Sequence, residues 1–357
     1  MSNQTDTVHK EAIEVLSELI RLPSFSKDEG QTASYLTKNL FDKGVEVTRV
    51  GNNVLAKNKF FDEARPTILL NSHHDTVKPN INYTRDPFLP TIEEGKLYGL
   101  GSNDAGGCLV SLMMTFLHFY SEENLRYNLV FAATAEEEIS GAHGIQDALM
   151  YLPSVDFAIV GEPTMMQMAV AERGLMVLDC VAKGKAGHAA REEGDNAIYK
   201  AMKDIDWIKG YQFENISALL GSAKMSVTSI ETENKAHNVV PAECRFVVDV
   251  RVNELYTLED VLKTIKDNLQ SEVIPRSTRL KSSAIALDHP LVKAGLALDK
   301  TYYGSPTTSD KALMPFPALK IGPGDSARSH MANEYIYVDE IRNGIIDYIK
   351  LLEQVLL

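Results

Sequence analysis

Basic residues are in deficit in this chain. Lys and Arg number 36 against 49 Asp and Glu, a formal net charge of −13. That sign argues against a nucleic-acid or anionic-membrane partner, both of which select for basic surfaces. Cysteine is scarce as well. Cys108, Cys180 and Cys244 are odd in number and far apart, with no CxxC pair, so no disulfide framework is expected. No apolar run is long enough to span a bilayer. Met1 to Arg21 has no basic region followed by an apolar core, so no secretory leader is expected and a cytoplasmic location follows. Repeats and low-complexity tracts are missing too. What is there is ordinary globular composition: 357 residues, 44% hydrophobic, with length enough for two domains.

Hydrophobic spacing divides the chain. Val8, Ala12, Val15, Leu16, Leu19 and Ile20 share one helical face, and Pro23 stops that helix. Val45 to Val50 alternates like a strand. The runs 67–71, 128–134 and 157–160 are short, apolar and uninterrupted, as buried strands are. Residues 106–120 are apolar nearly all round and predict a buried helix. Strands alternating with helices predict an α/β sheet with parallel strands. The middle differs: strand 174–182, helix 196–208, strands 223–231 and 242–252, helix 257–269 and a last strand around Arg279. That β-α-β-β-α-β order predicts a ferredoxin-like α+β domain at 171–280, inserted into an α/β domain of 1–170 and 281–357. A further core strand is expected at 317–321.

Polar residues gather where these strands end. His73-His74-Asp75 follows one, Glu136-Glu137-Glu138 a second, Glu162-Pro163 a third, and the segment from Gly322 to His330 a fourth. Ligands of open α/β sheets bind beyond the carboxyl ends of the strands. Asp104 lies in a glycine-rich stretch before the buried helix. That stretch is not GxGxxG, because Asp104 holds the third glycine position. It is not a P-loop, because Cys108 and Leu109 stand where Lys and Ser/Thr belong. Its glycines let the backbone approach whatever Asp104 binds.

Histidines mixed with carboxylates suit zinc, less selectively cobalt or manganese. Three ligating carboxylates (Asp104, Glu138 and Glu162) and a hydroxide would neutralise two divalent cations, whereas one cation would leave buried negative charge. His73 and Asp75 point to one face if the strand continues, so Asp75 can hold the imidazole N–H not used for metal. Adjacent Glu137 and Glu138 point in different directions. One can bind metal while the other faces the water as general base. His74 is given no role.

As an ordered set, Ser72-His-His-Asp-Thr-Val77, Tyr98-Gly-Leu-Gly-Ser-Asn-Asp104, Thr134-Ala-Glu-Glu-Glu-Ile-Ser-Gly141, Ile159-Val-Gly-Glu-Pro163 and Gly322–His330 resemble the co-catalytic zinc metallopeptidases. That family includes acetylornithine deacetylase, succinyl-diaminopimelate desuccinylase, aminoacylase-1 and carboxypeptidase G. The resemblance implies a mixed-sheet catalytic domain, an inserted dimerisation domain, and two Zn2+ per chain, with Co2+ or Mn2+ as substitutes. It implies that His73 and Glu162 bind one zinc, Glu138 and His330 the other, and that Asp104 bridges them. Glu137 would be the general acid/base, and Asp75 would orient His73. His188, in Gly187-His-Ala189, would polarise the scissile carbonyl in the active site of a homodimer partner. Asn238, Arg173 and Thr308 match positions near substrate. One departure stands out: the family often has lysine two residues after the bridging aspartate, where this chain has Gly106.

The resemblance further implies metal-dependent hydrolysis of an N-acyl amino acid, a small-molecule substrate. N-acetylornithine, and so arginine biosynthesis, is the first expectation, on Asn71–Lys78, Gly99–Gly107 and Ala171–Gly174. An N-succinyl amino acid or a di- or tripeptide is the alternative, and a non-enzymatic amino-acid-binding relative a further one. Glu172 is a candidate partner for a substrate ammonium.

Overall fold

Two strands with no polar alternation stand side by side at the centre of the main sheet. Thr67–His73 and Asn128–Thr134 are buried along their whole length, as parallel strands covered on both faces must be. The computed structural model describes residues 2–191 and 193–357. They form two compact units: Met1–Val170 with Ile285–Tyr303 and Ser309–Leu357, and Ala171–Ala284 with Gly304–Thr308.

In the first unit the strand order is Val47–Val50, Asn53–Lys57, Asn128–Thr134, Thr67–His73, Phe157–Val160, Ala318–Lys320, Met168–Glu172. Along the last of these the chain passes into the second unit. The four strands from Asn128–Thr134 to Ala318–Lys320 run parallel. Their register sets His73 opposite Thr134, Asn71 opposite Val160, and Val160 opposite Lys320. Four carboxyl ends therefore meet at one edge.

Both faces are apolar for a visible reason. Phe131 packs against Phe116 of the helix Gly107–Phe119, with ring centroids 5.8 Å apart. That helix lies against both central strands and the helices Ser2–Arg21 and Val338–Leu356. Val130 and Ala132, one residue either way, join a separate cluster with Leu69, Ala158, Ile145 and Ala148. The helix Gly107–Phe119 begins where nothing larger than glycine fits. A Cβ on Gly106 would lie 2.4 Å from the Gly101 carbonyl oxygen, and one on Gly107 2.3 Å from Ile336 Cδ1.

The second unit carries a four-stranded antiparallel sheet ordered Lys224–Glu231, Glu243–Val252, Gly174–Lys183, Glu272–Pro275. Helices Ala197–Gly210 and Leu258–Asn268 complete the expected ferredoxin-like order. Glu243–Val252 alternates, and Cys244, Phe246, Val248 and Val250 pack with Leu178 and Cys180. The helices start where their caps dictate. Asn196 accepts the Ile198 N–H and Thr257 that of Asp260, each worth about 0.5–2 kcal/mol. The last strand is Glu272–Pro275, and Arg279 falls outside it. All three cysteines are free and buried. Among the described residues, no helix is long and apolar enough to cross a membrane.

Candidate metal centre

His73 closes its strand and is 1% exposed. Its Nδ1–H donates to the Asp75 carbonyl oxygen at 3.0 Å. A carbonyl only accepts, so Nε2 is the position left for another partner. No hydrogen bond reaches that buried Nε2. It faces Asp104 Oδ1 at 3.4 Å, Glu162 Oε1 at 3.8 Å and Glu137 Oε2 at 4.0 Å. These gaps are long for good hydrogen bonds, and an unpaired buried imidazole nitrogen is costly.

Asp104 faces two ways. Its Oδ1 is the atom near His73, while its Oδ2 lies 3.6 Å from His330 Nε2. His330 Nε2 in turn sits 2.9 Å from Glu138 Oε2. The peptide after Asp104 is cis. Two sets of ligand atoms fall within 4.8 Å of one another: His73, Asp104 and Glu138, and His73, Glu137 and Glu162. The orphaned Nε2 and the convergent carboxylate oxygens fit a divalent cation or a pair of them. The geometry does not choose among zinc, cobalt and manganese.

Asp75 works differently from the simple expectation. Its carboxylate is 3.4 Å from His73 Nδ1, farther than its own backbone oxygen. It also accepts the backbone N–H groups of Glu137 and Glu138 at 3.0 and 3.2 Å, and the Ser26 hydroxyl at 2.7 Å. One residue thus holds both, the histidine through its backbone oxygen and the glutamate turn through its carboxylate. Glu136 is buried and turned away, its Oε2 accepting the His143 N–H at 3.3 Å. His74 is engaged by Thr32 and the Asn52 carbonyl.

The electrostatics are those of a site made for positive charge. Burial, then Glu162, pushes Glu137 well above the usual carboxylate range. Burial lifts Glu162 to about 8, with Asp104 and Glu138 adding to the rise. Burial pulls His73 down, but the facing carboxylates of Asp104 and Asp75, with Glu137 and Glu162 behind them, outweigh it and hold it well up. The Glu138 hydrogen bond raises His330 to about 9. A bound divalent cation reverses this logic by favouring every ionised carboxylate.

Two buried carboxylates at the centre carry no sequence motif. Asp310, 4% exposed, accepts the Thr134 hydroxyl at 2.7 Å, and burial lifts it to about 6. Glu334, 2% exposed, accepts backbone N–H groups around Asp104; burial, then the Asp104 charge, raises it to about 8.

The remaining expected residues belong to the second unit. His188 and Asn238 come together there: Gly187–His188 pairs with Val239–Val240, and the Ala189 N–H donates to the Asn238 oxygen at 2.9 Å. Both are exposed. The Arg173 guanidinium donates to the carbonyls of Ser222, at 2.7 Å, and Leu220, and Thr308 Oγ1 donates to the Arg173 carbonyl at 2.9 Å. These two side chains are engaged within their own unit. Glu172 is fully buried, which removes it as an open partner for a substrate ammonium.

Comparison with known proteins places the chain in a family. The profile described as Peptidase family M20/M25/M40 matches residues 69–354. A succinyl-diaminopimelate desuccinylase of Wolbachia pipientis subsp. Culex pipiens (strain wPip) is 26% identical over 361 residues, covering 92% of this chain and 89% of that protein. A tripeptidase from Staphylococcus aureus subsp. aureus Mu50 superposes with a TM-score of 0.80 at 19% identity, covering 97% of this chain and 98% of the other. A dinuclear metal-binding peptidase from Bacillus subtilis gives 0.74 at 16% identity, covering 98% of each. Histidine and carboxylates gathered at one sheet edge and a family match over most of the chain lead to one conclusion: this chain belongs to peptidase family M20/M25/M40 and is a metal-dependent amidohydrolase.

Proposed function

We propose that the protein hydrolyses the amide of an N-acyl amino acid, with an N-succinyl amino acid as its first substrate. The observation carrying the reaction is Asp104, which offers one oxygen toward His73 and the other toward His330. The relative named as a desuccinylase, matched along nearly its whole length, supports the succinyl group. The acetylornithine reading and its place in arginine biosynthesis take second place.

Two zinc ions are the proposed cofactors. His73 and Glu162 would hold one, Glu138 and His330 the other, and Asp104 both. When bound, such a pair lowers the pKa of a water and polarises the scissile carbonyl. Glu137 would take a proton from the attacking water and deliver it to the leaving amine. Asp75 keeps Glu137 and Glu138 in register through their backbone N–H groups. His188 is assigned the stabilisation of the oxyanion in the active site of a homodimer partner, and His188→Ala is then expected to lower kcat more than it raises KM.

The test is turnover by zinc-loaded protein of N-succinyl-diaminopimelate, N-acetylornithine and a set of di- and tripeptides, followed by release of free amine. Highest kcat/KM on the succinyl compound supports the reading. Preference for N-acetylornithine would restore the first expectation, and cleavage of peptides alone would sink both.

A further inference from the structure

Glu334 lies on the same segment as His330 yet reaches the loop of a different ligand. Its Oε2 accepts the Gly101 N–H at 2.9 Å, and its Oε1 accepts those of Asn103 and Asp104 at 2.8 and 2.9 Å. The Glu334 backbone carbonyl accepts a fourth, from Gly99 at 3.0 Å. The turn needs these acceptors. Gly101 adopts φ 74, and Asp104 and Ala105 have non-helical backbone angles, so ordinary helical pairing is lost there. Each buried N–H left unpaired would cost about 1–3 kcal/mol.

Only a carboxylate can serve all three donors. A glutamine in its place keeps one acceptor oxygen but turns an NH2 group toward an N–H. A second tie runs in parallel: Asn103 Nδ2 donates to the Asp325 carbonyl at 3.0 Å, and the Asp325 N–H returns to Asn103 Oδ1 at 3.1 Å. The loop bearing Asp104 and the segment bearing His330 are therefore fastened on both sides of the ligands.

We propose that Glu334 is a positioning residue that locks the Asp104 turn to the His330 segment, presetting Asp104 as the ligand shared by both metal positions. This rests on the metal-pair reading above and deepens it. The Glu334 carboxylate is taken up by backbone N–H groups of the Asp104 turn. It acts through the backbone of Asp104, as partners of ligating groups commonly do, at about 10–100-fold in metal affinity.

The experiment titrates chelator-stripped wild type, Glu334→Gln and Val250→Ala with Co2+, reading the visible absorption bands. Val250 is a fully buried core residue of the second unit, so its variant reports general destabilisation. Wild type should take up two equivalents. Glu334→Gln should bind at least one of them about tenfold more weakly, with an altered band envelope. Val250→Ala should melt earlier but titrate like wild type. In parallel, hydrogen exchange on metal-free wild type should find the 101–104 amides protected. Glu334→Gln with wild-type affinities and spectrum overturns the proposal, and so do fast-exchanging 101–104 amides in metal-free wild type. Should Glu334→Gln fail to fold, the wild-type exchange result decides alone. Fewer than two equivalents on wild type would instead count against the metal pair, leaving the exchange result to judge Glu334.

Discussion

In the proposed reaction adjacent residues divide the chemistry of this centre, because a tight turn sends their side chains apart. Glu138 pairs with His330 while the Glu137 carboxylate lies on the His73 side, and both backbones hang from Asp75. Glu137→Gln preserves shape and removes the proton acceptor. Turnover should fall by about 10²- to 10⁴-fold with metal content unchanged, checked by steady-state assay and elemental analysis. An active variant would take Glu137 out of the acid/base role. The sequence exposed the residues that project from strand ends, since a histidine or glutamate after an apolar run stands out. It hid Glu334 and Asp310. Each is a lone carboxylate whose importance comes from backbone or hydroxyl donors far away in the chain, which no local spacing encodes.

At the scale of elements, the start of the helix Gly107–Phe119 explains the missing lysine. The Gly106 N–H donates to the Gly101 carbonyl at 2.9 Å, so the two backbones are already in contact. A side chain at 106 would begin 2.4 Å from that oxygen and 2.5 Å from Leu16 Cδ1. Gly106→Ala should lower stability by about 1–3 kcal/mol in denaturant unfolding, and Gly106→Lys by at least as much. A neutral Gly106→Lys would show that the turn can open to accept the family's usual residue. Element prediction succeeded where burial is extreme. Thr67–His73, Asn128–Thr134 and Phe157–Val160 read as strands because neither face meets water. It missed Thr91–Glu93, Lys96–Tyr98 and Tyr335–Tyr337, which at three residues are too short to show a period and exist through pairing with one another. The strand expected at Arg279 lay earlier, where Val273 reaches the core of the second unit.

For the whole molecule, the acids of the centre set a pH dependence of stability. Burial raises Glu162 and Glu334 from 4.5 to about 8, and Asp310 from 3.8 to about 6. Such groups bind more protons folded than unfolded above their unfolded values, so stability falls as pH climbs toward the folded values. His73 and His330, also raised, act in the same sense: their contribution is full below 6.5 and is lost as pH passes their folded values. Asp75 and Asp104 are lowered, so their contribution is present above 3.8 and is lost only as pH falls below it. Metal-free protein should therefore melt at a lower temperature at about pH 8 than at about pH 5, and saturating Zn2+ should flatten or reverse that slope. Calorimetry on chelated and loaded samples checks it, and a metal-free Tm that rises with pH would contradict it.

The bond from the Asp104 N–H to Glu334 spans 230 residues of chain. Contacts of such separation are the slowest to form, because the intervening loop must close before they return anything. A growing polypeptide can pair Thr67–His73 with Asn128–Thr134 long before Glu334 exists. The tie between Asp104 and Glu334 is thus a late event in assembly, and tight metal uptake during synthesis should report that the chain has been made through Glu334.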